Sequence, residues 1–160
     1  MRRIEALQKR TLGLIVVAMF LAFTTAAFAQ QGQDRADTLS NRDFLSTVKA
    51  LETALSKNGF MIVATIDHQN MLRMVGANLK GSRTIEFGKP EMGKMLLPMA
   101  PEAGLEFPVR FYVWERADGK TVVSYRNPSE TLAHYGNETI AKIGKDMDGM
   151  LGMIAEEATR

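Results

Sequence analysis

Asp67 and His68 stand side by side, and from Met71 onward the chain is rich in methionine while containing no cysteine. The missing cysteines remove thiol redox chemistry and every thiolate metal site. Thioethers are soft donors with no proton to displace, so two or three methionines with a histidine suit Cu(I) or Ag(I). His68 and the methionines fall into three tight groups: His68, Met71 and Met74; Met92, Met95 and Met99; and Met147, Met150 and Met153, but spacing weakens the case. The third reads better as packing, because at about 100° per residue Met147 and Met153 point roughly 120° apart on a helix. Met92 and Met95 can share one turn, with Met99 beyond Pro98, and there an apolar lid over a sheet is preferred to a three-thioether clamp, since methionine fills irregular gaps in small cores.

Asp67 and His68 have the side chains of an acid-base pair, but neighbours at a strand end diverge, so each is expected to meet a different partner. His68 reads first as a hydrogen-bonding loop residue and second as a ligand or acid-base group. The only other histidine is His134, and there is no HExxH, no phosphate-cradling glycine loop and no G-x-S-x-G elbow. The common nucleophilic and metallohydrolase templates are therefore absent. The leading expectation is a non-catalytic domain that binds a small apolar ligand or a protein partner through Asp67, His68, Phe87 and Trp114, with no cofactor. Behind it stand a Cu(I) or Ag(I) protein using His68, Met71, Met74, Met92, Met95 and Met99, and an acid-base enzyme using Asp67 and His68.

Residues 1–29 place Arg2, Arg3, Lys9 and Arg10 ahead of an apolar run ending in Ala27-Phe28-Ala29. A basic start, a greasy middle and a small-x-small end make a secretory signal, and cleavage after Ala29 is preferred over retention as an anchor. The protein is thus expected in the periplasm or secreted, without a stable membrane anchor. Beyond residue 29 sixteen Lys and Arg face seventeen Asp and Glu. That balance gives no electrostatic reason to expect nucleic acid or anionic lipid as a partner.

The remaining length suits a single core. Residues 30–40 read as a polar lead-in and 41–160 as one α+β domain. Ser40 or Asn41 can cap a helix on which Phe44, Val48, Leu51 and Leu55 recur, closed by Asn58-Gly59. Phe60 to Ile66, rich in β-branched residues, reads as a buried strand. One short helix is expected within Asp67 to Lys80, a half-buried strand over Arg83 to Phe87, and a helical turn from Pro90. Phe107 to Arg116 and Thr121 to Arg126 form a hairpin, with Asp118-Gly119 in a type I′ turn. Trp114 is expected to anchor the core face of that hairpin. Ser129 can cap a short helix through His134. A final helix from Glu138 shows Ile140, Ile143, Met147, Met150, Leu151 and Ile154 as one stripe, weakened by Gly144 and Gly149.

The segments "GFMIVATIDHQNML", "IEFGKPEMG", "PEAGLEFPVRFYVWERADGKTVVSYRNP" and "LAHYG" resemble the domain-of-unknown-function family numbered 302. The motif positions are Ile66, Asp67 and His68; Phe87, Gly88 and Pro90; Pro101, Ala103, Gly104 and Pro108; then Trp114, Glu115, Asp118 and Gly119. The resemblance covers about residues 44 to 136. It implies a β-α-β-β-β-β-α fold like that of TATA-binding-protein-like domains, with helices on one face of a curved antiparallel sheet, and it implies no activity. The stretch Gln30 to Leu39 looks too polar to supply the family's first strand. An edge left bare in this way would favour a homodimer through sheet edges.

Overall fold

The computed structural model describes residues 34–160, so the expected signal segment, residues 1–29, lies outside the described residues. Strand β1 is Arg35–Leu39, helix α1 Phe44–Lys57, strand β2 Met61–Asp67 and helix α2 His68–Arg73. Strand β3, Ser82–Gly88, leads into helix α3, Pro90–Leu96, and a 3-10 turn over Pro101–Glu106. Strands β4, Val109–Glu115, and β5, Thr121–Arg126, are followed by helix α4, Pro128–Leu132, a 3-10 turn over Ala133–Tyr135 and helix α5, Glu138–Thr159. The sheet is antiparallel throughout, in the order β1-β5-β4-β3-β2. This is the expected α+β order. Among the described residues no helix is long and apolar enough to cross a membrane.

The first strand corrects the sequence reading. Arg35 to Leu39 pairs with β5 from Arg35 opposite Arg126 to Leu39 opposite Val122. An edge strand needs apolar side chains on only one face, and here half-buried Ala36 and Thr38 supply it while Arg35, Asp37 and Leu39 face outward. Charge on the outer face also protects an edge from pairing with another chain. The bare edge of the sheet is instead β2. Its β-branched residues fit the pleat, but with one neighbouring strand it is largely exposed rather than buried, and its register shifts between Ile62 and Ala64.

Local chemistry sets the other boundaries. Asp43, not Ser40 or Asn41, caps α1: its carboxylate accepts the Ser46 amide at 3.0 Å and the Ser46 hydroxyl at 2.7 Å. Ser40 is buried with its hydroxyl 2.8 Å from that of Thr47. The β4–β5 connection is a three-residue loop rather than a type I′ turn. Arg116 and Lys120 close it, Gly119 donates to the Arg116 carbonyl at 3.1 Å, and only Gly119 has positive φ, +83°. Asp118 keeps a negative φ, which spares it the left-handed strain that type I′ demands. Asn127, not Ser129, occupies the cap position of α4. Asn137 caps α5 by accepting the amides of Thr139 and Ile140.

Helices α1 and α5 cover one face of the sheet. Leu51, Leu55, Ile140, Met147, Leu151 and Ile154 are buried in the helix layer against Ile85, Phe87, Phe111, Val113 and Val123 of the strands. An aromatic series runs through this core, with Phe60 edge-on to Phe87, Phe87 stacked 5.0 Å from Phe111, and Phe111 edge-on to Tyr125.

Candidate functional site

The residues between these core positions point the other way, because side chains along a strand alternate faces. Register carries them across the sheet in rows. One row runs Asp37, Ser124, Tyr112, Thr84 and Ile66; the next holds Leu39, Val122, Trp114 and Ser82. Trp114 therefore lies on the open face, not on the core face, and its indole N–H donates to the Ser124 hydroxyl at 2.9 Å. The Tyr112 and Ser82 hydroxyls are 2.7 Å apart.

His68 joins this face from the start of α2. Its Nε2 lies 2.8 Å from the Thr84 hydroxyl, and its ring stands edge-on to Tyr112 at 5.9 Å. Asp67, one residue earlier, turns to the helix side. There its carboxylate accepts the Asn70 amide at 2.8 Å, which caps α2, and binds the Arg83 guanidinium at 3.0 Å. The amide hydrogen bond chiefly holds the carboxyl below its ordinary value; burial opposes it, and Arg83 adds to the lowering. Asp67 and His68 thus serve different partners on opposite faces, as strand alternation requires.

Phe87, offered by its sequence position as a ligand contact, is fully buried between Phe60 and Phe111. It belongs to the core because it sits on the helix side of β3. The methionines divide in the same fashion. Met147 is buried and Met92 packs against the core, whereas Met71, Met74, Met95, Met99 and Met153 are exposed. Helix α2 leaves the sheet where Asp67 pairs with Arg83, and α3 follows Gly88, which pairs with Met61. Those points lie near opposite ends of β3, about 17 Å apart at roughly 3.3 Å per residue. Met71 and Met74 therefore start from one end of the strand and Met92, Met95 and Met99 from the other.

A cavity of about 710 Å³ opens on the face that carries Thr84, Tyr112, Trp114 and Ser124. It passes the start of β4 and the end of β5, where Arg35, Arg110 and Arg126 line it with Glu106. Its inner end reaches the helix layer at Phe107, Val109, Leu132 and Met147. Tyr125 also lines it, and burial, with Asp148 and Glu156, pushes its hydroxyl pKa up, so the phenol stays protonated at neutral pH. Of the residues singled out in the sequence for ligand binding, Trp114 alone lines this space; His68 reaches it through Thr84 and Tyr112. The three arginines were missed. Their signal is the alternation Val109, Arg110, Phe111, Tyr112, Val113, Trp114, which separates two faces without saying which one stays open.

These features define a class: a helix-backed antiparallel sheet with a cavity at one end of its open face. The chain belongs to the family described as domain of unknown function DUF302, whose profile matches residues 36–158. The crystal structure of an uncharacterized conserved DUF302 protein from Bacillus stearothermophilus has a TM-score of 0.74 at 16% identity, covering 81% of this chain and 100% of that one. Similarity to curated proteins is partial. Fluoride-specific ion channel FluC 1 of Brucella suis biovar 1 is 24% identical over 90 residues, 56% of this chain and 35% of that protein. Fluoride-specific ion channel FluC 2 of Brucella melitensis biotype 1 matches at the same identity over 33% of its length. The chain spans about a third of the length of the curated relatives it matches.

Proposed function

We propose that the protein is an exported, non-catalytic binding domain whose small ligand occupies the cavity on the open face of the sheet. The cavity itself carries this reading: its volume of about 710 Å³ falls within the roughly 300–1,000 Å³ of small-molecule sites, and it joins an apolar inner end to a few polar groups. Export rests on the basic and apolar sequence of residues 1–29. The likeness to fluoride-specific ion channels is confined to about a third of those proteins, and no channel activity is carried over from it. A homodimer remains compatible with this reading, now through the bare edge of β2 rather than through β1.

A thermal-shift panel of small hydrophobic and amphipathic molecules, with Cu(I) under reducing conditions as one member, tests the proposal. A ligand at a hundred times its Kd stabilises the folded state by about 2.7 kcal/mol, a rise of several degrees. The expected result is such a rise with an organic ligand, lost in Trp114→Ala. Exposed Met71 and Met74 beside His68 favour a second reading as a Cu(I) site. Stabilisation by Cu(I) alone, abolished in Met71→Leu/Met74→Leu, would replace the cavity reading, and no shift with any member would sink both.

A further inference from the structure

The cavity has a charged rim whose layout follows from register. Arg35 on β1 sits directly opposite Arg126 on β5. The β4–β5 ladder ends with Tyr112 opposite Ser124; Arg110 and Arg126 lie two residues beyond that pair on their own strands and so on the same face, where the pairing stops. Three arginines from three adjacent strands therefore form a short row at one end of the open face, with Arg35 and Arg126 on paired strands about 4.8 Å apart. All three line the cavity, where the acidic member of the lining is Glu106.

Like charges placed directly opposite each other on a sheet are destabilising, and nearby carboxylates offset that repulsion. Asp37 holds Arg35 at 2.9 Å, Glu86 stands opposite Arg110 in the β3–β4 register, and Glu106 accepts the Tyr135 hydroxyl at 3.0 Å. Asp37 and Glu86 do not line the cavity, which leaves its rim richer in guanidinium than in carboxylate. Guanidinium forks match the paired oxygens of a carboxylate or a phosphate, and arginine suits such sites better than lysine. Immediately beyond the row stand Tyr112 and Trp114, and the inner end of the cavity is apolar.

We propose that the arginine row is the anion-binding end of the cavity, and that the ligand is a small carboxylate or phosphate carried on a flat apolar body. The anion lies across Arg110, Arg126 and Arg35, and the body lies along Tyr112 and Trp114. This inference rests on the reading of the cavity as a ligand site and narrows its ligand class from apolar to anionic and amphipathic.

Naphthyl probes absorb and emit in the range of Trp114, the single tryptophan of the chain, so binding is read by isothermal titration calorimetry. The test titrates the full chain with 1-naphthoate, 1-naphthyl phosphate and the neutral 1-naphthalenemethanol at two salt concentrations, and repeats the titrations with Arg110→Gln and Arg126→Gln. Binding of at least one anion about ten-fold tighter than the alcohol is expected, weaker at high salt, with the preference lost in both variants. Whether naphthoate or the phosphate binds better distinguishes the two anion classes. Equal binding of all three probes overturns the anionic assignment and leaves the binding reading standing. An anion preference that survives in both variants also overturns the assignment to this row, and no binding by any probe overturns both readings.

Discussion

The two faces of the central strands differ in what they ask of each residue. On β4, Phe111 and Val113 are fully buried under the helices, while Arg110 and Tyr112, their immediate neighbours, are exposed. The core face has its aromatic rings in contact with one another; the open face has hydroxyls and an indole N–H bonded to one another across the strands, and guanidinium groups lining the cavity. Steps of a single residue thus alternate between the packed core and the open face. The contrast predicts that substitutions one position apart separate cleanly in their effects. Phe111→Ala removes a ring packed against Phe87 and Tyr125 and is expected to cost about 3–5 kcal/mol in denaturant unfolding. Tyr112→Ala loses one hydroxyl contact and an exposed ring, at about 1 kcal/mol or less. Comparable losses at both positions would mean that the open face is covered in solution, and the comparison would fail.

The helix layer repeats the contrast on a smaller scale. Gly144 and Gly149 of α5 look alike in sequence, each a weak helix former within one amphipathic stripe. A Cβ on Gly144 would stand 2.8 Å from Ser129 Cα and 3.0 Å from the Pro128 carbonyl oxygen, so α5 passes α4 almost backbone to backbone. At Gly149 nothing lies within 4 Å. Gly144→Ala must push α4 away and is expected to destabilise by about 1–3 kcal/mol. Gly149→Ala meets open space and should stabilise by about 1 kcal/mol through helix propensity alone. Thermal unfolding of the two variants gives opposite signs if α4 is docked as described, and the same sign if it is not.

What was legible in the sequence was local. The stripe of α5, its start at Glu138 and the glycine that ends α1 follow from residues within a turn or two of each other. The first strand was not legible, because Arg35 to Leu39 is extended by pairing with Val122 to Arg126, nearly ninety residues away. Nor did alternation along β3 and β4 reveal that the helices would cover Phe87 and leave Trp114 outside; that choice is made by the packing of α1 and α5. The arginine row is the extreme case. Each member is an ordinary surface residue in its own segment, and the three become a feature only when two registers across three strands are known together.

At the end of β2 the two faces meet in consecutive residues, and their difference is testable by pH. Asp67 serves the helix side through the Asn70 amide and Arg83, and its pKa is lowered in the folded protein. A carboxyl whose folded pKa lies below its unfolded value binds fewer protons folded than unfolded, so its contribution is present above the unfolded pKa and lost as pH falls through the folded one. Stability should therefore fall as the solution is acidified below about pH 4, where model carboxylates begin to protonate. Asp43, capping α1 through Ser46 and likewise lowered, supplies another part of the same acid limb. Asp67→Asn should make that limb shallower without removing it, an effect smaller than any of the packing changes above. His68→Ala, one residue on but directed to Thr84 and Tyr112, should leave the limb where it was. If His68→Ala moved the acid limb as much as Asp67→Asn did, the two side chains would be acting as one unit and the division between the faces would not hold at this corner.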